Sequence, residues 1–103
     1  MRRRVSSDQL DALIHIPARL QFMATLAVLP EGDRLTFTRL QVMTGLTSGN
    51  LITHLRKLEE AGYLSSEKSG SGPASRTTLA LTRRGRTCLD AYAATLRALI
   101  KDL

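Results

Sequence analysis

Apolar residues recur along the chain at two spacings, and the breaks in spacing divide it into elements. Near the start, Leu10, Leu13 and Ile14 share one face of a helix that begins about Ser7 or Asp8. Pro17 has no N–H to give the preceding turn, so it either ends that helix or opens the next. From Pro17 to about Leu29, Leu20, Met23, Ala24 and Ala27 repeat at helical spacing. Pro30-Glu-Gly-Asp33 is a turn by composition, and Arg34-Leu35 reads as a short extended piece. Thr36 then caps a helix from about Phe37 to Thr44, with Leu35 and Leu40 placed as a hydrophobic staple. Gly45 suits the left-handed residue that ends such a helix. Thr47 repeats the grammar, capping a helix from Ser48 to about Ala61, with Leu46 and Leu51 as staple and Gly62 as stop.

Beyond Gly62 the spacing changes from helical to alternating. Tyr63 to Lys68 reads as a strand, Ser69-Gly-Ser-Gly-Pro-Ala-Ser75 as a flexible loop, and Arg76 to Leu81 as a second strand. Thr77, Leu79 and Leu81 alternate onto one face of that strand. Together they predict a hairpin with a long tip. Thr82 then caps a last helix carrying Leu89, Tyr92, Ala93, Leu96, Leu99, Ile100 and Leu103. The expected fold class is mainly α with a small β-hairpin. At its centre, Phe37–Thr44, the turn Gly45-Leu46-Thr47, and Ser48–Ala61 have helix-turn-helix spacing.

Composition narrows the partners. The chain has 103 residues, 43% hydrophobic and 23% charged, which fits one globular core and leaves no room for two. With 15 Lys+Arg against 9 Asp+Glu, the net charge is +6. A small basic domain is a candidate for a polyanion, either nucleic acid or an anionic membrane surface. No run approaches the roughly 20 apolar residues of a membrane span, and no signal-like apolar stretch follows Arg2-Arg3-Arg4. Cys88 has no cysteine partner, so no disulfide framework is expected. One Cys and two His far apart make no zinc cluster, and neither metal nor cofactor is expected. These features predict a soluble protein in a reducing, cytoplasmic setting.

Enzyme chemistry finds no foothold. Gly70-Ser71-Gly72 lacks the frame of a nucleophile elbow, and no Gly-Lys-Ser/Thr follows the glycine-rich loop. Glu59-Glu60 reads as the exposed end of a helix. Aromatic residues are 4% with no Trp, and Phe22, Phe37, Tyr63 and Tyr92 lie at core-like positions. Base-stacking platforms for single strands need free aromatics, so duplex DNA is favoured.

The helix after Thr47 is two-faced. Leu51, Leu55 and Leu58 form a core stripe, which leaves Ser48, Asn50, Thr53, His54, Arg56 and Lys57 on the outer face. Those donors and acceptors suit base edges and phosphates in a major groove. The run Leu46-Thr-Ser-Gly-Asn-Leu51-Ile-Thr-His-Leu-Arg-Lys-Leu58-Glu-Glu-Ala-Gly-Tyr63 resembles the recognition helix of winged-helix bacterial regulators of the MarR and ArsR type. Leu79-Ala-Leu-Thr82-Arg-Arg-Gly85-Arg86 resembles their strand-to-helix junction, and His15-Ile-Pro-Ala-Arg19-Leu the opening of their first core helix.

The resemblance implies a winged helix-turn-helix and a homodimer whose recognition helices enter successive major grooves. One domain over 1–103 is expected, comprising a flexible basic arm (1–7), N-terminal helices (8–29), the helix-turn-helix (37–61), a wing (63–81) and a dimerisation helix (83–103). The expected DNA contacts are Thr38, Thr47, Ser48, Asn50, Thr53, His54, Arg56, Lys57, Lys68 and Arg76. His54 serves either that role or the packing of the turn. A terminal helix with an apolar stripe through Leu103 is long for a partner inside so small a chain, which favours a dimer over packing against the Leu10, Leu13 and Ile14 segment. The expected dimer residues are Leu10, Leu13, Leu89, Tyr92, Leu96 and Ile100.

Two departures limit the carry-over. Wings of the MarR type often place an Asp two residues before their arginine, whereas Ala74 and Ser75 precede Arg76 here. The clustered ligands of ArsR-type metal sites are missing, so metal sensing is not implied. Arg83, Arg84 and Arg86 are either phosphate contacts or tolerated surface charge, and Arg2, Arg3 and Arg4 follow DNA or are merely solvated. His15 reads as structural; Cys88 reads as a small packed hydrophobe or a redox-sensing thiol. The functional expectation is a sequence-specific, double-stranded DNA-binding transcriptional regulator. An assembly module without DNA binding is the rival. A small-molecule effector is left open, at the dimer interface or between it and the DNA-binding helices.

Overall fold

A computed structural model describes residue 6 and residues 9–101. The elements run α1 (Pro17–Ala27), β1 (Leu35–Thr36), α2 (Phe37–Thr44), α3 (Ser48–Glu60), β2 (Leu64–Ser69), β3 (Arg76–Leu81) and α4 (Arg83–Ile100). The three strands make one antiparallel sheet in the order β1-β3-β2. This is a winged helix: a helical core carrying a small sheet whose β2–β3 hairpin is the wing.

Local chemistry sets most element ends. The hydroxyls of Thr36, Thr47 and Thr82 accept from the backbone N–H of Arg39, Asn50 and Gly85 and cap α2, α3 and α4. Gly45 ends α2 in the left-handed conformation, φ 71°. All of this follows the sequence expectation, and so do the strand bounds to within one residue.

The core gathers Phe22, Met23 and Leu26 of α1, Leu40 of α2, and Leu51, Leu55 and Leu58 of α3. Tyr63, Leu64, Leu79, Leu89 and Tyr92 complete it, with Ile14 fully buried from the segment before α1. Each such burial is worth roughly 1.5–3 kcal/mol relative to exposure. The leucine stripe therefore holds α3 by its inner face and leaves the outer face to be polar.

Four expectations change. No α-helix precedes α1 among the described residues; Asp11 instead organises turns, with its carboxylate accepting from the Leu13 N–H and its carbonyl from the Ile14 and His15 N–H groups. The buried stripe of α1 is Phe22, Met23 and Leu26, while Ala24 is exposed, because a helix apolar on most sides has no unique inward face. Residues 35–36 become a third strand, Leu35 opposite Leu79 and Thr36 opposite Thr78. The tip of the wing closes through a one-turn 3-10 helix, Gly72–Ala74. The basic arm at 1–5, the helix start at 7–8 and the helix end at 102–103 lie outside the described residues.

Candidate nucleic-acid interface

The turn between α2 and α3 is braced as well as capped. The Gln41 side-chain amide donates to the Ser48 hydroxyl at 2.9 Å and to the Leu46 carbonyl at 3.3 Å. That fixes the direction in which α3 leaves α2. On α3, Ser48, Asn50, Thr53, Arg56 and Lys57 are exposed, as expected from the leucine stripe on the other side. Thr53 turns its hydroxyl back to the Gly49 carbonyl at 2.9 Å. Thr47 is exposed but its hydroxyl holds the cap.

His54 departs from the rest of the set. Its ring is half-buried, edge-on to Phe22 with centroids 6.1 Å apart, and its Nδ1 accepts from Arg19 Nε at 3.2 Å. Arg19 also donates to the Leu13 carbonyl at 3.4 Å. The histidine therefore ties α3 to α1, a packing role directed at the first helix rather than at the turn. The physical reason is its position on the flank of the leucine stripe, where a flat amphipathic ring reaches the neighbouring helix.

Thr38 and Arg76 are far apart in sequence but line one cleft of about 520 Å³, together with Thr36, Phe37, Ser75 and Thr77. The first turn of α2 thus faces the end of β3 next to the wing tip. Ladder register separates the two wing cations: Lys68 lies opposite Thr77, and Ser69 opposite Arg76. Directly opposed residues share a sheet face, so Lys68 and Arg76 project from opposite faces of the hairpin and do not act as one patch. Among the described residues the one ion pair is Arg34 with Glu67, which leaves Arg56, Lys57, Lys68 and Arg76 outside any such pair.

Arg34 was missed from the sequence. It donates to the Thr78 hydroxyl at 3.0 Å, the Thr78 carbonyl at 3.1 Å, the Ser65 carbonyl at 2.9 Å and the Ser65 hydroxyl at 3.2 Å. One guanidinium thereby fastens the chain entering β1 to both strands of the wing. No local signal marks it, since its partners lie far along the chain. Ile52, 45% exposed beside the polar face of α3, was also passed over. It follows Leu51 directly and cannot share that residue's inward face, which was the available signal.

The junction into α4 is internally engaged. The Thr82 hydroxyl donates to the Gly62 carbonyl at 2.5 Å and accepts from the Gly85 N–H at 2.9 Å. A Cβ on Gly85 would collide with the Tyr63 carbonyl oxygen. Arg84 lies over the Tyr63 ring, 5.8 Å from its centroid, and Arg86 donates to the Ala27 carbonyl at the end of α1 at 3.0 Å. Of the three arginines here, only Arg83 has no such internal role.

The Tyr63 hydroxyl donates to the Asp11 carboxylate at 2.6 Å. Burial first, and then the bond to Asp11 with the Cys88 thiol nearby, hold its pKa well above the usual phenol range. His15 Nδ1 meets the Tyr92 hydroxyl at 2.8 Å, in keeping with a structural role.

The expected dimer residues divide. Leu89 and Tyr92 are 9% and 4% exposed within one chain, so they are corrected to core residues with little surface left for a partner. Leu10, Leu13 and Leu96 are half-buried against the same core. Ile100 is 50% exposed.

This geometry agrees with what the chain is similar to. Residues 18–100 match the family model described as winged helix DNA-binding domain. An uncharacterised protein of Methanocaldococcus jannaschii is 34% identical over 67 residues, 65% of this chain and 73% of that one. A transcriptional regulator homologue from Pyrococcus horikoshii superposes with a TM-score of 0.77 at 28% identity, covering 87% of this chain and 86% of that one. MarR shares the fold at 21% identity and a TM-score of 0.66, over 93% of this chain and 70% of its own. The chain belongs to the winged helix DNA-binding domain family. It is a DNA-binding protein of the transcription-regulator class, with the fold of MarR- and ArsR-type regulators, and not an enzyme. No described helix is long and apolar enough to cross a membrane.

Proposed function

We propose that the protein acts as a homodimer that reads a specific double-stranded sequence. α3 enters the major groove and α2 with the wing grips the flanking backbone. The observation that carries this reading is the two-sidedness of α3: three leucines hold its inner face while Ser48, Asn50, Thr53, Arg56 and Lys57 stand exposed. Asn50 presents paired donor and acceptor groups suited to adenine, and Ile52 offers an apolar contact for a thymine methyl. Arg56 and Lys57 meet phosphates, as do Thr38 and Arg76 from their shared cleft. Lys68 reaches the backbone from the other face of the wing. Dimerisation runs through the distal part of α4, with Leu96 and Ile100 one turn apart.

The test is binding of a random-sequence duplex at about 50 and about 200 mM salt, followed by a duplex that the protein selects from a random pool. About four cationic phosphate contacts per protomer, and so about eight per dimer, predict roughly ten-thousandfold weaker binding at the higher salt. Asn50→Ala is expected to weaken the selected duplex by about tenfold and the random one far less. Leu96→Asp with Ile100→Asp is expected to give a monomer in sedimentation and to collapse affinity, because unpaired charge in an apolar seam is costly. No binding to either duplex at low salt would overturn the reading in favour of an assembly module. A wild-type monomer at tens of micromolar, an ordinary affinity range, would overturn the dimer.

A further inference from the structure

The chain has seven glycines. Gly32, Gly45, Gly62, Gly70 and Gly72 have φ between 57° and 90°, where an L side chain is strained. Gly85 is helical, but the Tyr63 backbone leaves it no room for a Cβ. Gly49 alone has neither reason. It sits in the first turn of α3 without a positive φ, and a Cβ placed on it meets nothing within 4 Å beyond its neighbours. Glycine in a helix is less favourable than alanine, because more backbone freedom is lost on folding. The position gives up stability with no return inside the chain.

Its place on the helix says where the return lies. Gly49, Thr53 and Arg56 follow at i, i+4 and i+7, an outward row opposite Leu51, Leu55 and Leu58. With Thr53 folded back on the Gly49 carbonyl, the surface of the first turn stays low in the middle of the polar face.

We infer that Gly49 is the point of closest approach between α3 and DNA, where the missing side chain lets the first turn rest against base edges in the major groove. The inference deepens the DNA-binding reading above and rests on it. A side chain at 49 then holds the helix off the bases, so that Asn50 loses its contact while phosphate contacts at the ends of the face persist.

The test pairs stability with binding in Gly49→Ala and Gly49→Leu, on a duplex that the wild type selects from a random pool. Gly49→Ala is expected to raise Tm by about 1–4 °C and to weaken binding by about tenfold, the size of a modest overpacking penalty. Gly49→Leu is expected to weaken binding by at least about a hundredfold. The salt slope is expected to stay at the wild-type value in both, because no counterion-releasing contact is removed. Wild-type affinity in both variants would overturn the inference while leaving DNA binding intact. A lowered Tm in Gly49→Ala would overturn it too, by showing an internal need for glycine. A wild type that binds no duplex would overturn the DNA-binding reading and this inference together.

Discussion

The outward face of α3 and the junction where the wing meets α4 carry much the same residue types. The first has Ser48, Asn50, Thr53, Arg56 and Lys57; the second has Thr82, Arg84 and Arg86, with Arg34 beside it. At the junction nearly every polar group has a partner within the chain: Thr82 with Gly62 and Gly85, Arg86 with Ala27, and Arg34 with Ser65 and Thr78. On α3 the two cations stand exposed outside any ion pair among the described residues. The glycines repeat the contrast, since Gly85 is required by the Tyr63 backbone and Gly49 by nothing in the chain. Charge alone therefore marks no interface; the interface is where charge is left without an internal partner.

Substitutions at the two regions should part stability from binding. Gly85→Ala carries the largest expected effect. Its Cβ has no space against the Tyr63 carbonyl, so the junction must open, at a cost of about 3 kcal/mol. Urea denaturation checks this, and a loss below about 1 kcal/mol would mean the junction yields easily.

Arg34→Ala comes next. It removes four hydrogen bonds at a side chain only 23% exposed, and bonds from a charged donor are the stronger kind. A loss of about 2 kcal/mol is expected, with hydrogen exchange rising first at the β1–β3 pairing. Glu67→Gln should by comparison shift stability by less than about 0.5 kcal/mol, because that exposed carboxylate gains little from its ion pair.

Tyr63→Phe is expected to cost about 1 kcal/mol near neutral pH through loss of the bond to Asp11. It also carries a pH signature. The folded state keeps the Tyr63 proton above pH of about 10, where the unfolded chain loses it. The folded state then binds more protons, so this contribution is complete below pH of about 10 and declines as pH rises further. Denaturation near pH 8 and near pH 10.5 should show a smaller alkaline decline in the phenylalanine variant.

Arg56→Ala and Lys57→Ala should have the smallest effect on stability, within about 0.5 kcal/mol. Each should nonetheless lower the salt slope of duplex binding by about one unit per protomer, and so about two for the dimer. A variant that lost stability and kept its salt slope would move that residue to the junction's class.

Much of this architecture was legible because it is local. A threonine hydroxyl reaches an N–H three residues on, and a glycine adopts φ 71° in its own turn, whatever lies elsewhere. The outer face of α3 was readable from three leucines at helical spacing. Lys68 and Arg76 read alike from the sequence as the cations flanking a loop, but ladder register sends them to opposite faces. The inward turn of His54 was an open alternative because a histidine on the flank of a stripe can face either way. Phe22 and Arg19 draw it toward α1, and both sit on another helix.

The set of elements, their caps and stops, and the two-sidedness of α3 are written in the local order of residues. These depend on spacings of a few residues, over which backbone geometry leaves little choice. Tertiary structure alone decided which polar side chains are left over. Long, many-donor groups such as Arg34, Arg86 and Tyr63 take partners brought from tens of residues away, and burial makes those pairings worth forming. The same packing enclosed Leu89 and Tyr92 in the core and left Ile100 outside. Periodicity alone cannot make that division, because an apolar stripe looks the same whether it meets its own chain or another.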